Sequence, residues 1–371
     1  MEDEAMLKFP LDIFLDIMSR LQVRVLAQCR CVCKTWLKVI HHNRFVTMHH
    51  NRAVKSLNVS STVIVPIKCC KGEAVNNIVV VHDHKEEVVK SLKQRIGSSS
   101  YQFEIVGTCH GLLCLYEQIY CELYVANPVV GEYVKLPDTG VSDKLMDTVF
   151  GFGYDEVCNE YKVIRLEFES GRELRLNGEV YELRSGMWRS MGDISYPLRA
   201  SSSPIYLNGA LHWLTDEYAG CSCTDLIIAL DVCKEDFFPI PPPPGFKFSS
   251  ENYRYNLGDL KGNLCLFYWS SDNLFEIWTM NTYGVKDSWS KDYILSEREL
   301  GRDSLYLHPL AVLENKELLL EYNNESLLCY NEEDMTFREL DPQKLPSAFD
   351  TTIHVESLVS LRDLVGATTR Y

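Results

Sequence analysis

The sequence predicts a mainly β chain that begins with a short α-helical module. Two changes of pattern along its 371 residues predict this. Up to about residue 50 the apolar residues recur at helical spacing, and from about residue 58 they alternate at strand spacing. The charge divides at the same place, with a net charge of +4 over residues 1–57 and −19 over the rest. Such asymmetry marks a separate N-terminal module, here assigned to 1–50.

The stretch FPLDIFLDIMSRLQ (9–22) opens that module. Pro10 fits a helix start, where its missing N–H goes unused. Ile13, Ile17 and Leu21, with Phe14 and Met18, line an i, i+4, i+8 stripe. The turn QVRV then leads into a second helix from about Leu26 to Ile40. Winding CRCVCKTWLKVI (29–40) as a helix gathers Cys29, Val32, Cys33, Trp36, Leu37 and Ile40 on one face and turns Cys31 away. Zinc needs thiolates that converge at about 2.3 Å, which this arrangement does not give. The alternating cysteines therefore read as a packing face, and no metal is expected. The pairs His41–His42 and His49–His50 are read as surface polar residues. A module of this size cannot bury its own apolar stripe well, which points to docking on a partner protein. Ile13, Ile17, Leu21, Leu26, Val32 and Trp36 are the candidate docking residues, some of them holding the module together instead.

From residue 58 the segments STVIVPI, NNIVVV, YVANPVVGEYVKLP, YKVIRLEFE and TDLIIALDV read as strands between turn residues. Helical signal is confined to HKEEVVKSLKQRI (84–96) and part of 291–303. One unit recurs: an apolar strand, a polar turn, then a strand bearing an aromatic residue. The aromatic positions are Tyr133, Trp188, Phe238, Trp289 and Phe337, spaced by 55, 50, 51 and 48 residues. A period near 50 with four strands per unit is that of a β-propeller blade, kelch-like in spacing. An all-β sandwich with accidental regularity is the competing architecture. HGLLCLYE, NGALHWLT, KGNLCLFYW and NKELLLEY each precede a unit and read as an inner blade strand. Five units cover about 107–340, and strands from 58–106 and 341–371 are expected to pair and close a ring of about six blades. The β domain is thus assigned to 58–371.

Residues 9–36, FPLDIFLDIMSRLQVRVLAQCRCVCKTW, resemble an F-box of the plant type. Phe9-Pro10, Asp12, Ile17-Met18, Ser19 to Leu21 and Arg30 to Trp36 align with that family's pattern without a gap. GTCHGLLCL, VANPVVGEYVKLP, FGFGYDEVCNEYKVIRL, NGALHWL, EIWTMNTYGVKDSWSK and HVESLVSL resemble, in the same order, the F-box-associated domain of plant F-box proteins. That family includes S-locus F-box proteins of pollen and regulators of immune receptors. The resemblance implies a substrate-receptor subunit of an SCF-type E3 ubiquitin ligase. Its F-box would bind a Skp-type adaptor, and through it a cullin scaffold, while the propeller recruits a target protein for ubiquitination. It places adaptor binding on Pro10, Ile13, Ile17, Leu21, Leu26, Val32 and Trp36. The target is implied only as a class, a secreted-type ribonuclease or a receptor according to which relative is nearer. Gln22, Val25 and Cys29 depart from the pattern. A Ser cap contributes about 1 kcal/mol, and Val25 cannot cap, so weaker adaptor binding is expected.

Other readings find less support. GTCHG (107–111) has the form of a nucleophile elbow, but a strand follows Cys109 where that motif needs a helix, and His110 is badly placed as its base. HDH (82–84) and CSC (221–223) lack partners, and PPPPG (241–245) reads as a rigid inter-blade loop. A non-catalytic chain without cofactor is expected. The acidic body argues against nucleic acid, and no apolar run is long enough to span a membrane. The first residues lack a secretory signal, so the fourteen cysteines are expected to stay reduced, in the cytoplasm or nucleus. Two alternatives stand: a binding propeller working outside a ligase, and a propeller enzyme acting on glycans. The second needs acidic residues converging in the central channel, and Asp155, Asp216 and Asp231 show no such arrangement in sequence.

Overall fold

The computed structural model of the chain describes residues 10–56, 60–66, 79–81, 89–91 and 103–365, the last without 119, 138–147, 169–175, 200–202, 216–225, 247–254, 271, 297–299, 301–305, 341–344 and 346. Four helices come first: α1 (Leu11–Met18), α2 (Val23–Cys29), α3 (Lys34–Ile40) and α4 (Asn43–Ser56). Strands follow, with a final short helix α5 (Leu361–Leu364). Every strand belongs to a four-stranded antiparallel sheet, the geometry of propeller blades.

Five blades are each cut from one continuous stretch, where about six were expected. Blade 1 is β4 (Phe103–Cys109), β5 (Leu112–Glu117), β6 (Glu122–Asn127) and β7 (Glu132–Lys135). Blade 2 is β8 (Thr148–Asp155), β9 (Glu160–Phe168), β10 (Leu176–Glu182) and β11 (Met187–Ile194). Blade 3 is β12 (Ile205–Leu207), β13 (Ala210–Leu214), β14 (Ile227–Asp231) and β15 (Phe237–Ile240). Blade 4 is β16 (Tyr255–Leu260), β17 (Asn263–Trp269), β18 (Leu274–Met280) and β19 (Trp289–Ser296). Blade 5 is β20 (Leu307–Val312), β21 (Leu318–Tyr322), β22 (Ser326–Asn331) and β23 (Thr336–Glu339). The remaining sheet joins the two ends of the chain: β24 (Phe349–Val355) pairs with β1 (Ser60–Pro66), followed by β2 (Val79–Val81) and β3 (Val89–Ser91). The first strands β4, β8, β12, β16 and β20 contact one another in turn, and β24 touches both β20 and β4. This closes the ring and leaves no innermost edge exposed to pairing with another chain.

The repeat has a physical basis. Tyr133, Trp188, Phe238, Trp289 and Phe337 all sit on the fourth, outer strand of their blades. Two of them reach back to the preceding blade: Trp188 Nε1 donates to Pro137 O at 2.9 Å and Trp289 Nε1 to Pro241 O at 2.8 Å. The glycine-led segments are the second strands, and β5 and β21 are buried along their whole length. Such strands face a neighbouring blade on both sides and read as apolar runs.

Several local expectations are corrected. The helix expected over 84–96 contains a strand at β3, the rest of it lying outside the described residues. The part of 291–303 read as helical begins as β19. The helix expected from Leu26 to Ile40 is two helices, because Cys33 is extended (φ −160°, ψ 166°) and starts α3 as its N-cap. QVRV is not a turn but the start of α2, whose N-cap is Gln22, without a side-chain cap bond. Val25 is therefore an ordinary helical residue and no failed cap. HDH and CSC lie outside the described residues.

Candidate functional site

The four N-terminal helices form a small core of Met18, Val23, Leu26, Ile40, Phe45 and Val46, against which Phe14, Leu15, Leu21 and Trp36 pack. Phe14 and Trp36 meet edge to face, with ring centroids 5.2 Å apart. Pro10 supplies the N-cap of α1 in extended geometry (ψ 137°), and Asp12 lies in its first turn. Both suit a helix N-terminus, whose free N–H groups favour negative charge.

The outward faces stay apolar. Leu11, Ile13, Ile17, Val25, Val32 and Leu37 are 39% to 55% exposed. Half of the exposed large hydrophobic residues among those described thus fall within 27 positions, between Leu11 and Leu37. Scattered singly they would need no explanation, but such concentration marks a protein interaction surface. Beside it, α1, α3 and α4 line a groove of about 500 Å³ whose walls include Leu11, Leu15, Val39, Phe45 and Met48. Asp16 crosses its rim, paired with Arg20 and Arg52 at 2.8 Å each. The bonds from Arg52 and then Arg20 hold its carboxyl below the usual range.

The predicted residues divide between the two faces. Pro10, Ile13, Ile17 and Val32 point outward, Leu21 and Trp36 are half-buried, and Leu26 is fully buried in the core. Val32 and Leu37 were expected on a packing face. They are exposed because the break before α3 changes the rotation assumed for a continuous helix. Sequence reasoning missed Leu11, Val25 and Leu37 as outward residues. Leu11 stood in plain view one residue after Pro10, and the other two were hidden by the misplaced helix boundary.

The cysteines have separate roles. Cys29 is half-buried at the end of α2, Cys31 is exposed in the turn, and the Cys33 sulfur accepts from Trp36 N at 3.5 Å. His49 and His50 are buried, not surface residues: His49 faces the F-box core and His50 the propeller, on which α4 packs. His49 Nε2 lies 2.8 Å from Leu21 O, and the His50 ring lies 4.8 Å from that of His110.

The residues weighed for catalysis are bound into structure. Burial pushes the Cys109 thiol well up and the His110 imidazole down to about 4, the reverse of what a thiolate and its base need. Burial also opposes ionisation of Asp155, but N–H groups of Cys158 and Val157 and the Lys162 ammonium hold it down at about 2. Lys162 in turn bridges Asp155 (3.0 Å) and Glu235 (2.8 Å), tying blade 2 to blade 3. Asp231 accepts from the N–H groups of Cys233 and Lys234 and shapes a turn. Asp216 lies outside the described residues.

Family models match both parts of the chain: an F-box-like model over residues 6–49 and an F-box associated beta propeller domain over residues 44–361. The chain belongs to the F-box associated β-propeller family. It is 30% identical to the F-box protein At3g07870 of Arabidopsis thaliana, over 94% of this chain and 91% of that protein. It is 28% identical to the F-box/kelch-repeat protein At3g23880 of the same plant, over 96% of each chain. The F-box protein CPR1, also of Arabidopsis thaliana, is 24% identical over 95% of this chain and 89% of its own length. The two family matches overlap on residues 44–49, the first half of α4. That helix belongs at once to the F-box and to the propeller, and it carries His50 against His110.

Proposed function

We propose that this chain is the substrate receptor of an SCF-type E3 ubiquitin ligase. Its F-box docks on a Skp-type adaptor carried by a cullin scaffold, and its propeller recruits the protein to be ubiquitinated. The carrying observation is the set of outward aliphatic residues on α1, α2 and α3, in an F-box otherwise packed and mounted on a propeller. Apolar residues left exposed beside a formed core supply the driving force for a helical partner surface. The F-box sits over the turns that follow β4 and β6. Strands β8, β12, β14, β16 and β20 begin at the opposite face, and each follows a sequence connection of ten or more residues. Long connections on a rigid scaffold carry specificity, so target contact belongs on that face. A receptor of this kind would work in the cytoplasm or nucleus, where its cysteines stay reduced.

The test is co-purification of the full chain with a plant Skp-type adaptor, compared with Ile17→Asp. Ile17 is 52% exposed, so the variant keeps its fold. An unpaired carboxylate buried in an apolar interface lowers adaptor affinity by about 100-fold or more. Unaltered affinity of Ile17→Asp would remove Ile17 from the interface. Absence of binding by the folded, unmodified chain would leave a binding propeller that works outside a ligase.

A further inference from the structure

Ten residues at the C-terminal end of the described chain run through the joint between F-box and propeller. After β24 the chain passes Glu356, Ser357 and Leu358, all at most 4% exposed, and enters α5. Leu358 packs in the F-box core with Met18, Leu26 and Ile40. Val359 touches that core and also the core between blades 1 and 2, to which Leu361 and Val365 belong. One short segment thus has side chains in both domains.

Its backbone is held by one fully buried side chain, Asn127, and one half-buried one, Glu132. Asn127, fully buried at the end of β6, donates through Nδ2 to Ser357 O (3.2 Å) and Val359 O (2.8 Å). Its Oδ1 accepts from Val129 N (3.0 Å), ordering the turn whose Val129 and Val130 also pack on the F-box core. Glu132 caps α5, accepting from Leu361 N at 2.8 Å and Ser360 Oγ at 3.0 Å. Gly111, at φ +78°, lies so close that an added Cβ would be 2.3 Å from Ser357 Oγ. The glycine of GTCHG therefore has a role outside any catalysis: it leaves room for this segment.

We propose that residues 356–365 are a clamp that completes the F-box core and fixes the F-box in one orientation on the propeller. Leu358 and Asn127 act in it as positioning residues. The F-box is too small to bury its own stripe, and the clamp supplies the missing apolar partner from more than 300 positions away in sequence. Adaptor and target would then be held at a set distance and angle, with the clamp as the rigid element between them.

Hydrogen exchange on the full chain reads the joint directly. In Leu358→Ser, amides of α2 and α3 are expected to exchange about 30-fold faster or more, while those of β9, β17 and β21 are unchanged. A second variant, Gly111→Ala, displaces the clamp from the propeller side without altering an F-box residue. It is expected to loosen the same α2 and α3 amides. Unchanged F-box amides in either variant would overturn the clamp, as would equal acceleration throughout Leu358→Ser or loosening confined to the β4–β5 turn in Gly111→Ala. Exchange needs no adaptor, so the clamp stands or falls separately from the ligase reading. If both hold, Leu358→Ser also binds the adaptor about tenfold more weakly.

Discussion

Glu321 lies on β21 with none of its surface exposed, accepting from Asn324 Nδ2 at 2.8 Å and from the Thr351 hydroxyl. Burial, and then the charge of Asp350, push its carboxyl up to about 8. A raised carboxyl contributes stability that is fully present below its unfolded value near 4.5 and lost as pH rises to about 8. Glu321→Gln keeps the shape and removes the charge. Its unfolding free energy in urea should match the parent at pH 4 and exceed it at pH 9, by up to about 5 kcal/mol from about 1.4 per pH unit between 4.5 and about 8. Equal values at pH 9 would mean that Glu321 ionises freely in the fold. Nothing in the run LLLEY announces this residue, because its burial depends on a neighbouring sheet contributed by the chain's far end. Ile13 and Ile17, by contrast, were legible: their spacing follows from the helix period alone.

At the scale of elements, the start of α3 turns on one sulfur. Cys33 caps through a weak acceptor at 3.5 Å from Trp36 N. Cys33→Ser places a stronger acceptor there and should raise the melting temperature. Cys33→Ala should lower stability by about 0.5–1 kcal/mol, the ordinary worth of a cap. The reverse order would mean that packing of the sulfur outweighs its hydrogen bond. This boundary was not legible because apolar residues keep helical spacing across Arg30 to Cys33 even though the backbone breaks. The blade repeat was legible for the opposite reason. Each outer strand needs a large aromatic at the same place in its unit, so Tyr133, Trp188, Phe238, Trp289 and Phe337 mark the period in the sequence itself.

For the whole molecule, the joint is lined with neutral histidines. Burial pushes His50 down to about 3, with His110, His354 and His49 adding to it, and burial pushes His110 and His354 down to about 4. A lowered histidine contributes stability that is present above its unfolded value of 6.5 and lost as pH falls through the window to about 4. Three such groups meet between α4, the β4–β5 turn and β24. Acidification from pH 7 to 4.5 should therefore release the F-box before the blades, seen as proteolytic cleavage near α4 while strand signal in circular dichroism persists. Simultaneous loss of both would show that the joint is no weaker in acid than the ring. The sequence showed His50 only as one of a polar pair and His110 only as a badly placed base for Cys109, since what buries them is brought together by the fold.

The pairing of β24 with β1, and the seat of Leu358 among the N-terminal helices, have a consequence for how the protein is made. The F-box helices are made before the propeller, yet their core and the ring beneath them are finished by β24 and the residues after it. A nascent chain, or a product of a premature stop codon before Leu358, carries every outward F-box residue without the support that holds them in place. If the F-box docks as proposed, that docking would wait until residues 349–365 have been made, and the cell would be spared receptors that engage the machinery without a finished surface to select a target.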